Sequence, residues 1–350
     1  MDGNIIKKEL SDISWLVDEP TYRADPALSY STISRFESLG FGGIDHINDK
    51  LDTPFLTFGQ CVDTIITDGQ EAFNKSFFVS EYPECPDSII QIVKVLFKEF
   101  SETHNNLCDI PNEEIIGFAS RFNYQNNWKP ETRAKNIKEK GSRYYKLLYL
   151  AKDKTIINTK EYQDVVNSVE ALKNSKATEF YFTPNNPFES IRRYYQLKFK
   201  ATIDKVPYRI MADEIIVDYE NKTIQPIDLK TSSFYEWEFP TAFVKFHYQL
   251  QARLYWKVIK LNIEKDPYFK DFKLKDYKFI VVNKNTLNPL VWDCPFTQCS
   301  TNITFGKDNQ IVFRPPWEIG KELYYYLSSR PKVPIGIEKE NNLVEWLNKM

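Results

Sequence analysis

The stretch from Arg193 to Lys230 constrains the fold of this chain more than any other. Arg193 to Thr202 alternates as a strand does, Asp204-Lys205 reads as a turn, Tyr208 to Val217 alternates again, Asn221-Lys222 reads as a second turn, and Thr223 to Lys230 forms a third run. Pro240 to Lys260 is helical in character, and Phe279-Ile280-Val281-Val282 suits a short buried strand. Three meandering strands, a helix and a fourth strand give an α/β core built on one mixed sheet with helices beside it.

Before that core, Leu28 to Phe36 reads as a capped helix start, with Ser29 or Ser31 accepting from the free backbone donors of the first turn. Further helices are expected at Phe58 to Ile66, with Gly59 near the start, at Ser88 to Thr103 and at Glu161 to Asn174. After the core come Pro295, Pro315, Pro316, Pro331 and Pro334, in a peripheral extension with a helix at Trp317 to Ser328 and a short final one. The expected organisation is a helical N-terminal elaboration over 1–185, containing the first core helix at about 55–68, then a catalytic core over 186–290 and a C-terminal extension over 291–350.

With 350 residues, 42% apolar and 27% charged, the chain needs neither disulfides nor a structural metal to fold. At a net charge of −2 the chain is less basic than is usual for a protein that holds nucleic acid by bulk charge, so any such binding rests on local patches or is transient. Cys61, Cys85, Cys108, Cys294 and Cys299 include no CxxC pair, which argues against a zinc ribbon and for the reduced thiols of a cytoplasmic protein. Met1 to Leu10 lacks the apolar run of a secretory signal, no stretch is long and apolar enough for a membrane span, and no Gly-rich loop announces an ATP site.

The chemistry concentrates between Met211 and Thr231. Asp213 follows Ile210-Met211-Ala212, and Asp228-Leu229-Lys230 follows Gln225-Pro226-Ile227. An acid and a lysine two apart on a strand share a face. If the turn at Asn221-Lys222 folds the strands together, Asp213 approaches that face too. Asp213 and Asp228 then suit a hard cation, with the Leu229 carbonyl as a third oxygen, and Mg²⁺ fits such a set, with Mn²⁺ as a substitute. Lys230 beside the ion orients or deprotonates a water, which is equipment for phosphodiester hydrolysis. An Asp-x-Lys on a strand is more often a solvated face, but here the charges sit inside the apolar run Ile227-Asp228-Leu229-Lys230-Thr231, where burial is costly unless they are paired or bound to metal. Asp204 is a competing acid, though it occupies a turn, where Asp is favoured for structural reasons.

This pattern resembles the PD-(D/E)xK nucleases, in particular the RecB-like and phage-exonuclease branch. In that branch a strand ending in Asp leads to a strand reading Asp-or-Glu, any residue, Lys and often Thr. Asp213 and Asp228-Leu229-Lys230-Thr231 match it, with Ala212 where the superfamily name has Pro. The branch's Gln-x-x-x-Tyr is matched by Gln251-Ala252-Arg253-Leu254-Tyr255, one helix face at i, i+4 spacing. Its Gly-x-x-x-His is matched by Gly59-Gln60-Cys61-Val62-Asp63, with Asp in place of His. The resemblance implies Asp63 as a further oxygen ligand, and Gln251 and Tyr255 as contacts to DNA or supports of the site. The rival readings are an exposed helix Asp and a core Tyr. It covers roughly residues 28–285 and implies a restriction-endonuclease-like core. The activity implied is that of a DNA exonuclease for recombination or end processing, typical of phage and bacteria. Its partners would be DNA and a single-strand annealing protein or a helicase. Some members carry a four-cysteine iron–sulfur cluster, but the cysteines needed are missing here.

Basic residues offer phosphate contacts at Arg192, Arg193, Lys198 and Lys200, and in the run Lys129 to Lys146, where Tyr144 and Tyr145 suit stacking on frayed bases. The alternative for that run is a solvated helix face. Two other functions stay open: a structure-selective endonuclease or resolvase with the same centre, and an inactive DNA-binding or structural protein on the same fold.

Overall fold

The computed structural model describes residues 8–49, 53–306 and 311–329. The chain runs through α1 (Glu19–Ala24), α2 (Tyr30–Leu39), α3 (Pro54–Thr67), α4 (Gly69–Ser76), β1 (Phe77–Val79), α5 (Asp87–Phe100), α6 (Asn112–Arg121), α7 (Pro130–Ala151), β2 (Thr155–Ile157) and α8 (Thr159–Asn174). It continues with β3 (Ile191–Ile203), β4 (Val206–Asp218), β5 (Thr223–Ser232), α9 (Phe239–Lys245), α10 (Tyr248–Ile263), β6 (Lys273–Leu274), β7 (Lys278–Asn283), β8 (Leu290–Asp293), β9 (Ile303–Phe305), β10 (Ile311–Phe313) and α11 (Pro316–Ser329).

Local chemistry sets several boundaries. Ser29 caps α2 by accepting from the Thr32 N–H, and Gly40, at φ 62°, ends it. Thr53 caps α3, which opens on a proline. Asn158 and Glu161 form a reciprocal capping box on α8. Asp204 and Lys205, both left-handed (φ 50° and 69°), make the tight β3–β4 turn, a backbone that matches strand twist. The helix expected over Pro240 to Lys260 is two helices, because His247 adopts φ 54° and restarts the chain as α10.

The central sheet runs β3-β4-β5-β7-β8, with β6 also paired to β5. β3, β4 and β5 are antiparallel neighbours, as their turns require. α9 and α10 carry the chain over the sheet, so β7 pairs parallel to β5, with Asp228 opposite Phe279 and Lys230 opposite Val281. β8 returns antiparallel. The fold is therefore α/β, a mixed sheet flanked by helices. The parallel pair β1–β2 and the antiparallel pair β9–β10 lie outside this sheet.

One face of the sheet is buried by α2, α10 and α11 around Phe199, Ile210, Leu254 and Phe279. The other is buried by α3 and α8, with Phe58, Val62 and Val169 meeting Ile216, Ile227 and Ile280. A third cluster joins α5, α6 and α7 away from the sheet. Tyr144 and Tyr145 belong to it, fully packed, so they offer no stacking surface. Their aromatic area is worth more in that core than in water. Leu10 and Phe36 from the N-terminal part, and Ile319 and Leu323 from the C-terminal part, share the first core with the sheet. Pro331, Pro334 and the short final helix of the sequence reading lie outside the described residues.

Candidate functional site

The site forms where the meander changes faces. On β4, Ile210 and Ala212 point into the first core, yet so do Ile215 and Val217, while Ile216 joins the second. Strict alternation cannot do this, so the strand switches faces between Ala212 and Ile215. β3 switches beside it at Gln196, which has φ 53°, a conformation uncommon for a side-chain-bearing residue and often found at functional positions. The β3–β4 register passes over Gln196 and Asp213 without a regular pair. The β4–β5 ladder ends at Glu214 opposite Ile227, so the strands fork just where Asp213 would face Asp228.

The fork frees backbone groups, and Asp213 takes one of them. Its Oδ2 accepts from the Leu229 N–H at 3.0 Å. In a strand the N–H and C=O of one residue leave on the same edge, so the Leu229 carbonyl faces the fork as well. Asp228 is fully buried. Its Oδ2 lies 2.6 Å from the Lys230 ammonium, and its Oδ1 accepts from the Gln251 amide. Lys230 keeps some contact with solvent and lies 5.0 Å from the centre of the Tyr248 ring.

Asp63 reaches the fork from the opposite face of the sheet. An added Cβ on Gly59 would stand 3.1 Å from the Thr231 hydroxyl, so the missing side chain lets α3 lie close against the end of β5. Asp63 is one turn further along α3; its Oδ2 accepts from Gln196 at 3.0 Å and its Oδ1 is buried without a partner. Burial pushes the Asp63 carboxyl up to about 7, and the Asp228 charge adds to this. Burial, then Asp228 and Asp63, raises the Asp213 carboxyl well above the usual carboxylate range. Burial, the largest single effect, lowers the Lys230 pKa, but Asp228, Tyr248 and Asp213 together outweigh it and hold the ammonium above its ordinary value.

Gln251 thus supports Asp228 directly. Tyr255, one turn on, packs edge-on to Tyr277 at 6.1 Å inside the core. The basic residues expected at phosphates are engaged elsewhere. Arg192 donates to the carbonyls of Asn186, Pro187, Glu189 and Ile191. Arg193 is buried, donates to Phe180 and Tyr181, and lies over the Phe180 ring. Both guanidiniums are thus engaged by carbonyls close to them in the chain. Lys198 donates to the Val17 carbonyl and Lys200 pairs with Asp25 at 2.6 Å. Asp204 remains a turn residue.

Sequence reasoning missed Gln196, Tyr248 and Glu214. Nothing in the sequence marks Gln196, because its role comes from the face switch. Tyr248 was legible in principle, since it precedes Gln251 by three and so shares its helix face. Glu214, 3% exposed, has both carboxylate oxygens buried and unpartnered, and burial raises its pKa well above normal against the pull of Arg193.

Among the described residues, no group of three or more His, Cys, Asp or Glu is gathered tightly enough to enclose a metal ion. Lysine and amide contacts occupy Asp228 instead. The donor types, carboxylate and carbonyl oxygens, are those that a hard divalent cation takes. Three carboxylates face one lysine, a formal excess of about two negative charges in a desolvated place. Burial first and the neighbouring carboxylates second raise the Asp63 and Asp213 pKa values, and one Asp63 oxygen is buried without a partner. Two cavities of about 390 and 580 Å³ lie elsewhere, and neither is lined by these residues.

No protein-family profile matches the chain, and no curated protein matches it. Among solved structures, a crystal structure of a provisionally named exonuclease from Eubacterium rectale is similar over 89% of this chain and 82% of its own, at 9% identity and a TM-score of 0.39. That likeness is too loose to carry any role across. Among the described residues no helix is long and apolar enough to cross a membrane.

Proposed function

We propose that the chain is a metal-dependent nuclease acting on DNA, with Asp213, Asp228 and Lys230 at its centre and Asp63 as a further oxygen ligand. One observation carries this reading. A fully buried aspartate and a lysine pair across 2.6 Å on one face of β5, while a second aspartate is bonded to the backbone between them. Such a cluster costs stability, and a folded chain that keeps it is using it.

Each residue has a role that follows from its contacts. Asp213, Asp228, Asp63 and the Leu229 carbonyl would hold Mg²⁺, with Mn²⁺ as a substitute. When bound, the ion lowers the pKa of a water and offsets charge on the phosphoryl oxygens. Lys230 stays protonated beside Asp228, so it acts as a donor that orients the water and stabilises charge on the phosphate. Gln251 fixes the Asp228 carboxylate, and Gln196 fixes Asp63. We read the mode as exonucleolytic, of the recombination or end-processing kind, with an annealing protein or helicase as partner.

The test is cleavage of 5′- and 3′-labelled linear duplex and of a closed circle with Mg²⁺, comparing wild type with Lys230→Ala. Stepwise loss of label with the circle intact, abolished in the variant, supports the exonuclease. Cutting of the circle makes the enzyme a structure-selective endonuclease with the same centre. No cleavage of linear, single-stranded or circular DNA with either Mg²⁺ or Mn²⁺ removes the catalytic reading and leaves a DNA-binding or structural protein.

A further inference from the structure

The loop that leaves β5 carries two aromatic rings that the fold does not use. Tyr235 and Trp237 stack with centroids 4.6 Å apart and planes within 6° of parallel, yet they are 47% and 73% exposed. Large rings held parallel in water are unusual, because burial would stabilise each of them. Their loop is pinned. Ser232 accepts from the Phe234 N–H at 3.0 Å, Asn283 of β7 donates to the Phe234 carbonyl at 2.8 Å, and Glu238 accepts from the Tyr235 N–H at 2.9 Å. The pair is therefore pre-set rather than swinging free.

Ring contacts continue from this loop to the site. Phe234 meets Phe246 at 6.2 Å, Phe246 meets Tyr248 at 5.6 Å, and Tyr248 lies under Lys230. Cations flank the row. Lys245 lies over both Phe234 and Phe246, and Lys284, next to Asn283, lies over Phe58 at the start of α3. Neither lysine has an acidic partner among the described residues. Of the nearby acids, Glu236 is engaged by Thr286 and Glu238 by the loop backbone.

We propose that this row is a platform for an unpaired DNA strand, whose bases stack on Tyr235, Trp237 and Phe246 while Lys245 and Lys284 meet its phosphates. It rests on the nuclease reading of the site and names that site's substrate as a single-stranded or frayed end. The chemistry selects such a strand over intact duplex. Every base has a π face that a protein ring can take, but in duplex those faces are already stacked on neighbouring bases. The path runs inward to Lys230, where a phosphate would be hydrolysed.

Binding in EDTA separates the platform from the catalysis. Fluorescence anisotropy of a labelled oligothymidine of roughly 20 nucleotides and of a blunt duplex is measured with the full chain, as wild type, Trp237→Phe and Tyr235→Ala/Trp237→Ala. Loss of stacking should weaken the single strand by about tenfold or more in the double variant. Trp237→Phe should keep most of the affinity, and duplex binding should stay within about twofold. Both side chains are exposed, so melting curves of the variants should overlay wild type. Absence of single-strand binding by wild type, an unchanged affinity in the double variant, or an equal loss for both DNAs would each overturn the proposal. If binding behaves as expected while the cleavage test fails, the platform stands and the nuclease reading falls.

Discussion

Asp63→Asn is the perturbation that most directly probes the geometry of the fork, because the sequence alone leaves Asp63 open to reading as an ordinary exposed helix residue. In the folded chain its carboxyl is raised to about 7, by burial and then by Asp228. In the unfolded chain an aspartate titrates near 4. Between those values the folded state binds more protons, so stability falls as pH rises through the window and the loss is complete above about 7. Three pKa units set a ceiling of about 4 kcal/mol. Asp213 and Asp228 share the same field, so the part that belongs to Asp63 is roughly 2–3 kcal/mol. For a chain of 350 residues that is about 3–4 °C in Tm. Asn keeps an acceptor for Gln196 and cannot ionise. Melting curves in EDTA at pH 4 and pH 8 should therefore show the variant gaining on wild type by that amount at pH 8 and by little at pH 4. Mg²⁺ at pH 8 should raise the Tm of wild type more than that of the variant, because the ion relieves the same repulsion. Parallel pH profiles for the two proteins would mean that Asp63 does not face the carboxylates, and the three-acid site would have to be abandoned.

Other substitutions test its supports. Gln251→Leu removes the amide from a fully buried carboxylate, and chemical denaturation should find the protein about 1–3 kcal/mol less stable, with Mg²⁺-dependent cleavage reduced. Gly59→Val should leave α3 helical by circular dichroism but push it off Thr231, lowering activity far more than Tm; unchanged activity would show that the close approach is not needed. Glu214→Met should raise Tm at pH 8 and leave it nearly unchanged at pH 4. Wild type must hold a proton on a buried carboxyl that the unfolded chain releases near pH 4, a cost of at most about 4 kcal/mol at pH 7.

Much of the site was legible before the fold. Period-2 alternation and the turn pairs at Asp204-Lys205 and Asn221-Lys222 specified the meander, because turn chemistry and strand pattern are local. The two-residue spacing of Asp228 and Lys230 set them on one face, and the four-residue spacing from Gly59 to Asp63 put the acid one turn beyond the point of close contact. What the sequence could not hold was the change of face at Gln196 and Asp213, which breaks the alternation on which a sequence reading depends. That break opens β4 from β5 and frees the Leu229 N–H for Asp213. It also lets Asp63 approach from the far side of the sheet. Composition likewise misled at Tyr144-Tyr145, and it did not reveal the carbonyl partners of Arg192 and Arg193. Whether a guanidinium faces solvent or a loop carbonyl, and whether a tyrosine lies on the outer or inner side of its helix, is decided by neighbours distant in the chain. Local pattern determined the strands, the turns and the faces of Asp228 and Lys230; tertiary packing decided which charges were buried together, because burial and partner choice are properties of the assembled layers.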